Sequence, residues 1–235
     1  MKTKTIALTS AALLVSFTAI TAETHSSNAT QPTAETQKLL TPDSVLKDLM
    51  AANEQFVKAH SADPNIEVRR EIGTKGQNPK AFILSCIDSR VPVEQVFNQG
   101  LGDLFVGRVA GNIETTEQLG SMEYAAAVGG VKLIMVLGHE ACGAVKGACD
   151  HIEMGNITPL LDHIEPAIEQ VKGHEGKRDS KNKEFVAEVV EKNAAMTVED
   201  VRKRSKILAD LEKQGKIKIV GGVYSLHTGK VTLLK

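Results

Sequence analysis

Apolar and polar residues alternate along this chain in blocks typical of strands interleaved with helices. Four short apolar runs have the length and composition of buried strands. These runs cover residues 81–85, 104–109, 131–137 and 217–220. The segments between them that show helical spacing are residues 116–128, 158–171 and 197–214. This alternation predicts an α/β fold with a central, mostly parallel β-sheet flanked by helices.

A further helix is predicted before the first strand. Apolar residues recur at helical spacing from Val45 to Phe56, and Pro42 suits the first turn of such a helix. The predicted helix continues to about His60 and forms an N-terminal helical arm outside the main alternation. Such an arm is expected to wrap a neighbouring subunit.

Three expectations concern the second half of the chain. Thr197 begins the segment Thr197-Val198-Glu199-Asp200, which predicts the start and cap of the last long helix. The charged stretch 172–192 is interpreted as a solvated loop and helix face. The tail from residue 223 to residue 234, with a turn at Thr228-Gly229, predicts a terminal hairpin.

The amino terminus has the pattern of a secretory signal peptide. Lys2 and Lys4 precede an uncharged apolar stretch from Ile6 to Ala22, and polar residues begin at Glu23. A retained membrane anchor is the alternative, but the run is short for a span and contains several Thr and Ser. Residues 1–22 are therefore predicted to be removed on export, most consistent with a bacterial periplasm. No membrane span is expected after cleavage.

The remaining chain divides into two predicted parts. Residues 23–40 are rich in Thr, Ser, Ala and Gln, which predicts a flexible leader, and residues 41–235 form a single predicted domain. The net charge of −1 and the lack of a basic cluster argue against a nucleic-acid partner. Aromatic residues make up 3% of the chain and Trp is absent, so stacking platforms for bases or sugars are not expected.

The candidate chemistry lies where two predicted strands end. Cys86 and Asp88 follow the first strand, and His139 and Cys142 follow the third. In open parallel sheets, functional groups gather beyond the carboxyl ends of neighbouring strands. Spacings of two in extended backbone and three in a helical turn each place both side chains on one side. Two thiols and an imidazole suit zinc, which prefers nitrogen and sulfur donors.

The residues alone leave alternatives for these side chains. Three cysteines in an exported protein also suit one disulfide and a free thiol, and Cys149 suits a half-buried, small apolar position. A structural zinc site closed by Cys86, His139, Cys142 and Asp88 satisfies the donor count. Arg90 favours the catalytic alternative, because its guanidinium can hold the Asp88 carboxylate and leave the fourth metal position free for water.

The motifs Cys86-Ile87-Asp88-Ser89-Arg90 and His139-Glu140-Ala141-Cys142 together resemble the β-class carbonic anhydrases. The likeness runs from about residue 77 to residue 145 and resumes over residues 193–234. It implies reversible, zinc-dependent hydration of carbon dioxide to bicarbonate and a proton, by attack of zinc-bound hydroxide on CO2. It also implies one Zn2+ per chain on Cys86, His139 and Cys142. Asp88 and Arg90 are then catalytic, with Asp88 as the fourth ligand in a closed state.

The same resemblance implies substrate contacts. Gln77 matches a glutamine that hydrogen-bonds substrate across a subunit interface, Phe105 matches an apolar pocket wall, and Gly143 matches a backbone donor to bicarbonate. From the residues alone, Gln77 also suits a polar loop and Phe105 a core position. A site shared between chains implies a homo-oligomer, either a dimer or a tetramer.

The chain departs from one branch of that family. In that branch, a Trp three residues before the first ligand forms an inhibitory bicarbonate pocket with an Arg and a Tyr. Arg108 and Tyr224 occupy matching positions here, but Ile83 replaces the Trp, so bicarbonate regulation is not expected. Arg108 is expected to hold the substrate-side loop or an interface carboxylate. Alternatives to CO2 hydration are hydrolysis of carbonyl sulfide or carbon disulfide, and a non-enzymatic zinc protein with a closed site.

Overall fold

The computed structural model describes residues 33–59 and 66–235 of the chain. The predicted signal peptide, residues 1–22, and the first part of the predicted leader, residues 23–32, lie outside these residues. Within the described part, no helix has both the length and the apolar character that crossing a membrane requires.

Helices and strands alternate through most of the described chain. The helices are α1 (Ala34–Leu39), α2 (Pro42–Ala59), α3 (Ile66–Gly73), α4 (Val93–Val96), α5 (Thr116–Ala127), α6 (Gly143–Cys149), α7 (Ile157–Leu161), α8 (Glu165–Gln170), α9 (Lys183–Arg204) and α10 (Lys206–Lys213). The strands are β1 (Ala81–Ser85), β2 (Leu104–Arg108), β3 (Leu133–His139), β4 (Lys218–Tyr224) and β5 (Val231–Leu233). A 3-10 turn, Ala110–Asn112, follows β2.

The described strands form one sheet in the order β2-β1-β3-β4-β5. The first four are parallel, and β5 runs antiparallel to β4 as the return strand of the predicted terminal hairpin. Strands β1 and β3 lie inside the sheet and are buried along their whole length, which explains their continuous apolar runs. The predicted α/β fold with a mostly parallel sheet is confirmed.

Helices cover both faces of this sheet. On one face, side chains of β1 and β3 such as Phe82 and Ile134 pack with α5, α9 and α10. On the other face, Ile83 and Met135 pack with α2 and α4. Alternate residues of each central strand therefore serve two separate apolar layers, as the pleat requires.

Helix α2 begins at Pro42 as predicted and packs against its own chain. Val45 and Leu49 are fully buried against the sheet. Asn53 is also buried, and its Nδ2 donates hydrogen bonds to the carbonyl oxygens of Val96 at 2.8 Å and Gly229 at 2.9 Å. Its Oδ1 accepts from the N–H of Val231 at 2.8 Å. One side chain thus joins α2 to α4 and to the terminal hairpin.

The predicted helix over residues 158–171 is two helices. α7 ends at Leu161, and α8 begins at Glu165 with a proline, Pro166, in its first turn. Proline has no N–H to donate to the preceding turn, so it favours a helix start over a helix interior. Apolar residues continue at helical spacing across this break, so the sequence pattern did not show it.

The predicted start of the last long helix at Thr197 is wrong. α9 begins at Lys183, where the Asn182 side chain accepts a hydrogen bond from the N–H of Phe185, and Thr197 lies buried in its interior. The helix ends at Arg204, and Ser205 caps a separate α10. The charged residues of 172–192 masked a buried stripe that begins at Phe185, so the predicted solvated helix face is only one side of α9.

The described end of the predicted flexible leader is also different in the structure. Residues 34–39 form α1, with Thr33 as a capping residue. Gln37 is buried. Its amide nitrogen, Nε2, donates hydrogen bonds to the carbonyl oxygens of Pro79 at 2.7 Å and Gly129 at 2.8 Å. These two bonds attach α1 to the segments that lead into β1 and β3, which the composition of the leader did not indicate.

We expect Asn53→Ala to lower the free energy of unfolding by about 2–4 kcal/mol, because two buried backbone groups and one partly buried group lose their partner. Glu54→Ala, at the exposed neighbouring position of α2, is the matched control and should change stability by less than about 0.5 kcal/mol. Urea unfolding followed by circular dichroism measures both. Equal stability of the two variants would contradict the role assigned to Asn53.

Candidate metal centre

Strand pairing brings the predicted ligands together. Cys86 is the first residue after β1, and His139 is the last residue of β3. The two strands are parallel neighbours, with Ser85 opposite Leu137, so both side chains lie at the carboxyl edge of the sheet. Cys142 directly precedes α6. The candidate ligand atoms of Cys86, His139 and Cys142 lie within 4.8 Å of one another, and all three residues are buried.

The turn between His139 and Cys142 is held by the sheet. Glu140 continues the pairing of β3, since its N–H donates to the carbonyl oxygen of Tyr224 at 3.0 Å. Ala141 then adopts a left-handed backbone conformation with φ of 53°, which is uncommon for a residue with a Cβ. This bend returns the chain so that Cys142 faces the same space as His139.

The His139 ring is oriented to present one nitrogen. Its Nδ1 lies 2.9 Å from the carbonyl oxygen of Glu140, an acceptor that retains the proton on Nδ1. The Nε2 atom is buried and has no hydrogen-bond partner among the described residues. An unpaired buried nitrogen beside two thiols is costly unless it has a ligand. The residues therefore fit a metal ion bound by one nitrogen and two sulfur donors.

The two thiols of the site lie within hydrogen-bond distance of each other. The Sγ atoms of Cys86 and Cys142 lie 3.9 Å apart. A hydrogen bond from Cys142 lowers the pKa of the Cys86 thiol to about 4, even though burial acts in the opposite direction. The same bond, with burial, raises the pKa of Cys142. Metal binding requires both sulfurs as thiolates, so it would release the proton that the raised pKa keeps on Cys142.

The cysteines are free thiols, so the alternative of a disulfide is not seen at these positions. Cys149 lies at the end of α6 among apolar residues, as predicted, but it is buried and not half-buried. Burial raises the pKa of its thiol to about 11.

Asp88 is paired with Arg90 at the edge of the site. The guanidinium donates from Nε to Oδ1 at 2.9 Å and from Nη2 to Oδ2 at 2.7 Å, and the Arg90 backbone N–H also donates to Oδ1 at 2.9 Å. These bonds hold the pKa of the Asp88 carboxyl far below its usual range. Oδ2 lies 3.9 Å from Nε2 of His139, so the carboxylate stands beside the cluster while turned toward Arg90.

Arg108 holds the loop that carries these groups, one of the two roles expected for it. Its Nε donates to the carbonyl oxygen of Cys86 at 2.8 Å, and its Nη2 donates to that of Asp88 at 2.5 Å. Because both acceptors are backbone atoms, Arg108 fixes the path of the chain from Cys86 to Asp88 and leaves the Asp88 carboxylate to Arg90.

Comparisons with known proteins agree with this geometry. The sequence profile of the carbonic anhydrase family matches residues 81–231. Carbonic anhydrase 2 of Mycobacterium tuberculosis is 37% identical over 198 residues, which cover 82% of this chain and 92% of that protein. A β-carbonic anhydrase of Coccomyxa, solved in complex with acetazolamide, has a TM-score of 0.63 at 25% identity, with 80% and 86% of the two chains covered. The chain belongs to the β-class carbonic anhydrases.

The same fold occurs in the two tetrameric β-carbonic anhydrases of Sordaria macrospora. One of these structures matches with a TM-score of 0.63 and 22% identity, covering 81% of this chain and 97% of that chain. The parallel sheet with flanking helices is therefore shared with relatives of low sequence identity.

The three substrate contacts implied by that family do not lie together within one chain of the structure. Gly143 begins α6 directly after Cys142, and the space where a Cβ would stand is open. Gln77 is exposed and precedes the amino end of β1, whereas Cys86 follows its carboxyl end. Phe105 lies near the amino end of β2, half-buried, with its ring 6.4 Å from that of Tyr124. Within one chain, Gln77 and Phe105 are not part of the cluster.

Two residues at the site were not singled out from the sequence. The N–H of Gly111 donates to Sγ of Cys86 at 3.4 Å, and the carbonyl oxygen of Gly111 accepts from Asn193 at 2.8 Å. The available signals were the Gly-Asn pair one residue beyond a predicted strand and a polar residue among the apolar positions of residues 185–201. Neither signal indicates by itself which groups Gly111 and Asn193 contact in the folded chain.

We expect the parent protein to bind about one zinc ion per chain and Cys86→Ser to lose most of it, because the hydroxyl is a poor substitute for a thiolate. Cys149→Ser is the matched control, since it makes the same change at a buried thiol outside the cluster. Metal analysis by mass spectrometry, with thermal unfolding alongside, measures both. Full zinc content in Cys86→Ser would refute the ligand assignment.

Proposed function

We propose that this β-class carbonic anhydrase is a zinc enzyme that interconverts CO2 with bicarbonate and a proton. The observation that carries the proposal is the buried cluster of Cys86, His139 and Cys142, with the nearby Asp88 carboxylate taken up by Arg90. A structural site has no use for a carboxylate held beside three donors by a competing guanidinium. The arrangement favours catalysis over a permanently closed site.

Sγ of Cys86, Nε2 of His139 and Sγ of Cys142 would hold the metal. A zinc ion bound there would act as a Lewis acid and would lower the pKa of water to about 7. The carbonyl oxygen of Glu140 keeps His139 in the tautomer that can ligate.

Asp88 orients the reacting oxygen in this proposal. The paired carboxylate stays ionised, so Oδ2 is a hydrogen-bond acceptor 3.9 Å from the ligating nitrogen of His139. An acceptor at that place can hold the proton of an incoming water and direct its lone pair toward CO2. If Arg90 releases Asp88, the carboxylate is free to turn to the metal and close the site.

A second copy of the chain completes the substrate pocket in this proposal. Gln77 and Phe105 lie toward the amino edge of the sheet, away from Cys86 of the same chain. They can serve a site only in another chain, which favours a dimer or a tetramer. The tetrameric β-carbonic anhydrases of Sordaria macrospora support this assembly.

We expect Arg90→Ala to reduce CO2 hydration roughly 10- to 100-fold while zinc content stays unchanged, because Asp88 loses the partner that positions it. Arg70→Ala removes the same charge from an exposed position on α3 and should behave as the parent. Stopped-flow assays with a pH indicator, on samples of measured zinc content, give the comparison. Parent-like turnover in Arg90→Ala would show that Arg90 does not control the site.

Mixing two inactive variants tests the shared site. Gln77→Ala leaves the metal cluster intact, and Cys86→Ser leaves Gln77 intact, so a hybrid dimer contains one complete site. Co-expression at equal amounts should recover about a quarter of the parent activity, since half of the random dimers are hybrids with one site of two. Recovery no greater than the sum of the separate variants, with hybrids confirmed by mass, would contradict the exchange of Gln77.

Export is a separate part of the proposal, supported by the basic start and the apolar stretch of residues 1–22. We expect the protein recovered from its native cells to begin near Glu23 and to be released with the periplasmic fraction. Amino-terminal sequencing measures this directly. A mature chain that still begins at Met1 would overturn both export and the proposed boundary.

A further inference from the structure

A polar side chain interrupts the apolar stripe of α9 opposite the metal centre. Asn193 is 3% exposed, and its neighbours on the buried side of the helix include Val189, Val190 and Ala194. Removing an amide from water is costly unless it makes hydrogen bonds. The side chain meets this requirement across the core, where Nδ2 donates to the carbonyl oxygen of Gly111 at 2.8 Å.

Gly111 is itself held in an unusual conformation. It lies in the 3-10 turn after β2 with φ of 74°, in the left-handed region that favours glycine. A Cβ at this position would stand 2.6 Å from Cδ1 of Ile164, so the turn is closely packed as well as left-handed. The N–H of this same residue donates to Sγ of Cys86 at 3.4 Å.

Gly111 thus makes hydrogen bonds to two different parts of the molecule. Its carbonyl oxygen is held by Asn193 on α9, and its N–H reaches the sulfur of Cys86. A hydrogen bond to a thiolate withdraws charge from the sulfur and limits its movement. Partners in this outer position tune metal ligands, and their loss commonly weakens metal binding 10- to 100-fold.

We propose that Asn193 is a positioning residue for the metal centre, which sets the Gly111 turn so that its N–H donates to Cys86. The inference rests on the proposed function, in which Cys86 is a metal ligand. Asn193 does not touch the substrate or the metal, and its effect passes through one backbone residue. Helix α9 therefore contributes to the metal centre through the amide of Asn193, which lies more than a hundred residues after Cys86 in the sequence.

The test uses the full chain loaded with Co2+, whose sulfur-to-metal absorption reports on the ligating thiolates. In Asn193→Leu the Gly111 carbonyl loses its donor, so the N–H to Cys86 should no longer be held. We expect the charge-transfer band to move to lower energy, since the sulfur lone pair loses a hydrogen bond. We also expect Zn2+ affinity, measured by competition with a chelator, to fall about 10- to 100-fold.

Thr197→Val is the matched control. Thr197 is equally buried, at 3% exposure, and lies one turn further along the same face of α9. Valine has nearly the shape of threonine, so this variant removes a buried polar group without the link to Gly111. It should keep the parent band and the parent affinity. If Asn193→Leu does not fold, Asn193→Ala replaces it, because a smaller side chain cannot overpack the interior.

The possible outcomes distinguish a failure of the positioning role of Asn193 from a failure of the proposed function. A parent that loads cobalt normally, beside an Asn193 variant with an unchanged band and affinity, would overturn the positioning role and leave the proposed function standing. Equal losses in the Asn193 and Thr197 variants would also overturn it, since they would report general packing. A parent that takes up neither Co2+ nor Zn2+ would overturn the proposed function and this inference together.

Discussion

The in-register parallel pairing of β1 with β3 is the constraint on which the site depends. Both strands are buried on two faces, and the carboxyl end of each strand carries one group of candidate ligands. Side chains alternate between faces, so a shift of one residue in either strand would exchange its two apolar layers. The packing that determines this register therefore also determines that Cys86 and His139 meet.

The cluster places polar atoms where the surrounding core offers few partners. Nε2 of His139 is buried without a hydrogen bond among the described residues, and the thiols of Cys86 and Cys142 face each other at 3.9 Å. Apolar residues of α6, α8 and α9 surround them. Binding a metal would satisfy all three donors at once, so their burial away from other polar partners favours a ligand.

Two arginines hold the Asp88 loop, one through its backbone and the other through the Asp88 side chain. Arg108 binds the carbonyl oxygens of Cys86 and Asp88, whereas Arg90 binds the carboxylate of Asp88. The Arg90 side chain is 54% exposed and the Asp88 side chain 15% exposed. A pair at the boundary with solvent can separate at a lower cost than a fully buried one. The geometry thus combines a fixed backbone with a carboxylate that is able to change partners.

The sequence by itself determined the fold class, four strand positions and the ligand cluster, because the buried central strands leave long apolar runs and the ligands follow them at short spacings. It misplaced the start of α9, since charged residues on the solvent side of that helix outnumber the buried stripe that begins at Phe185. Helix boundaries of this kind depend on which side of a segment meets the core, and composition averages over both sides.

Only the tertiary structure decided the groups that surround the cluster. Asn193 and Gly111 are far apart in sequence, and nothing in either local segment indicates that one donates to the other. The hydrogen bonds of Arg108 to the backbone of Cys86 and Asp88 likewise depend on how the end of β2 lies beside the loop that follows β1. A sequence pattern reports periodicity along the chain, whereas hydrogen bonds between segments are set by how the layers pack.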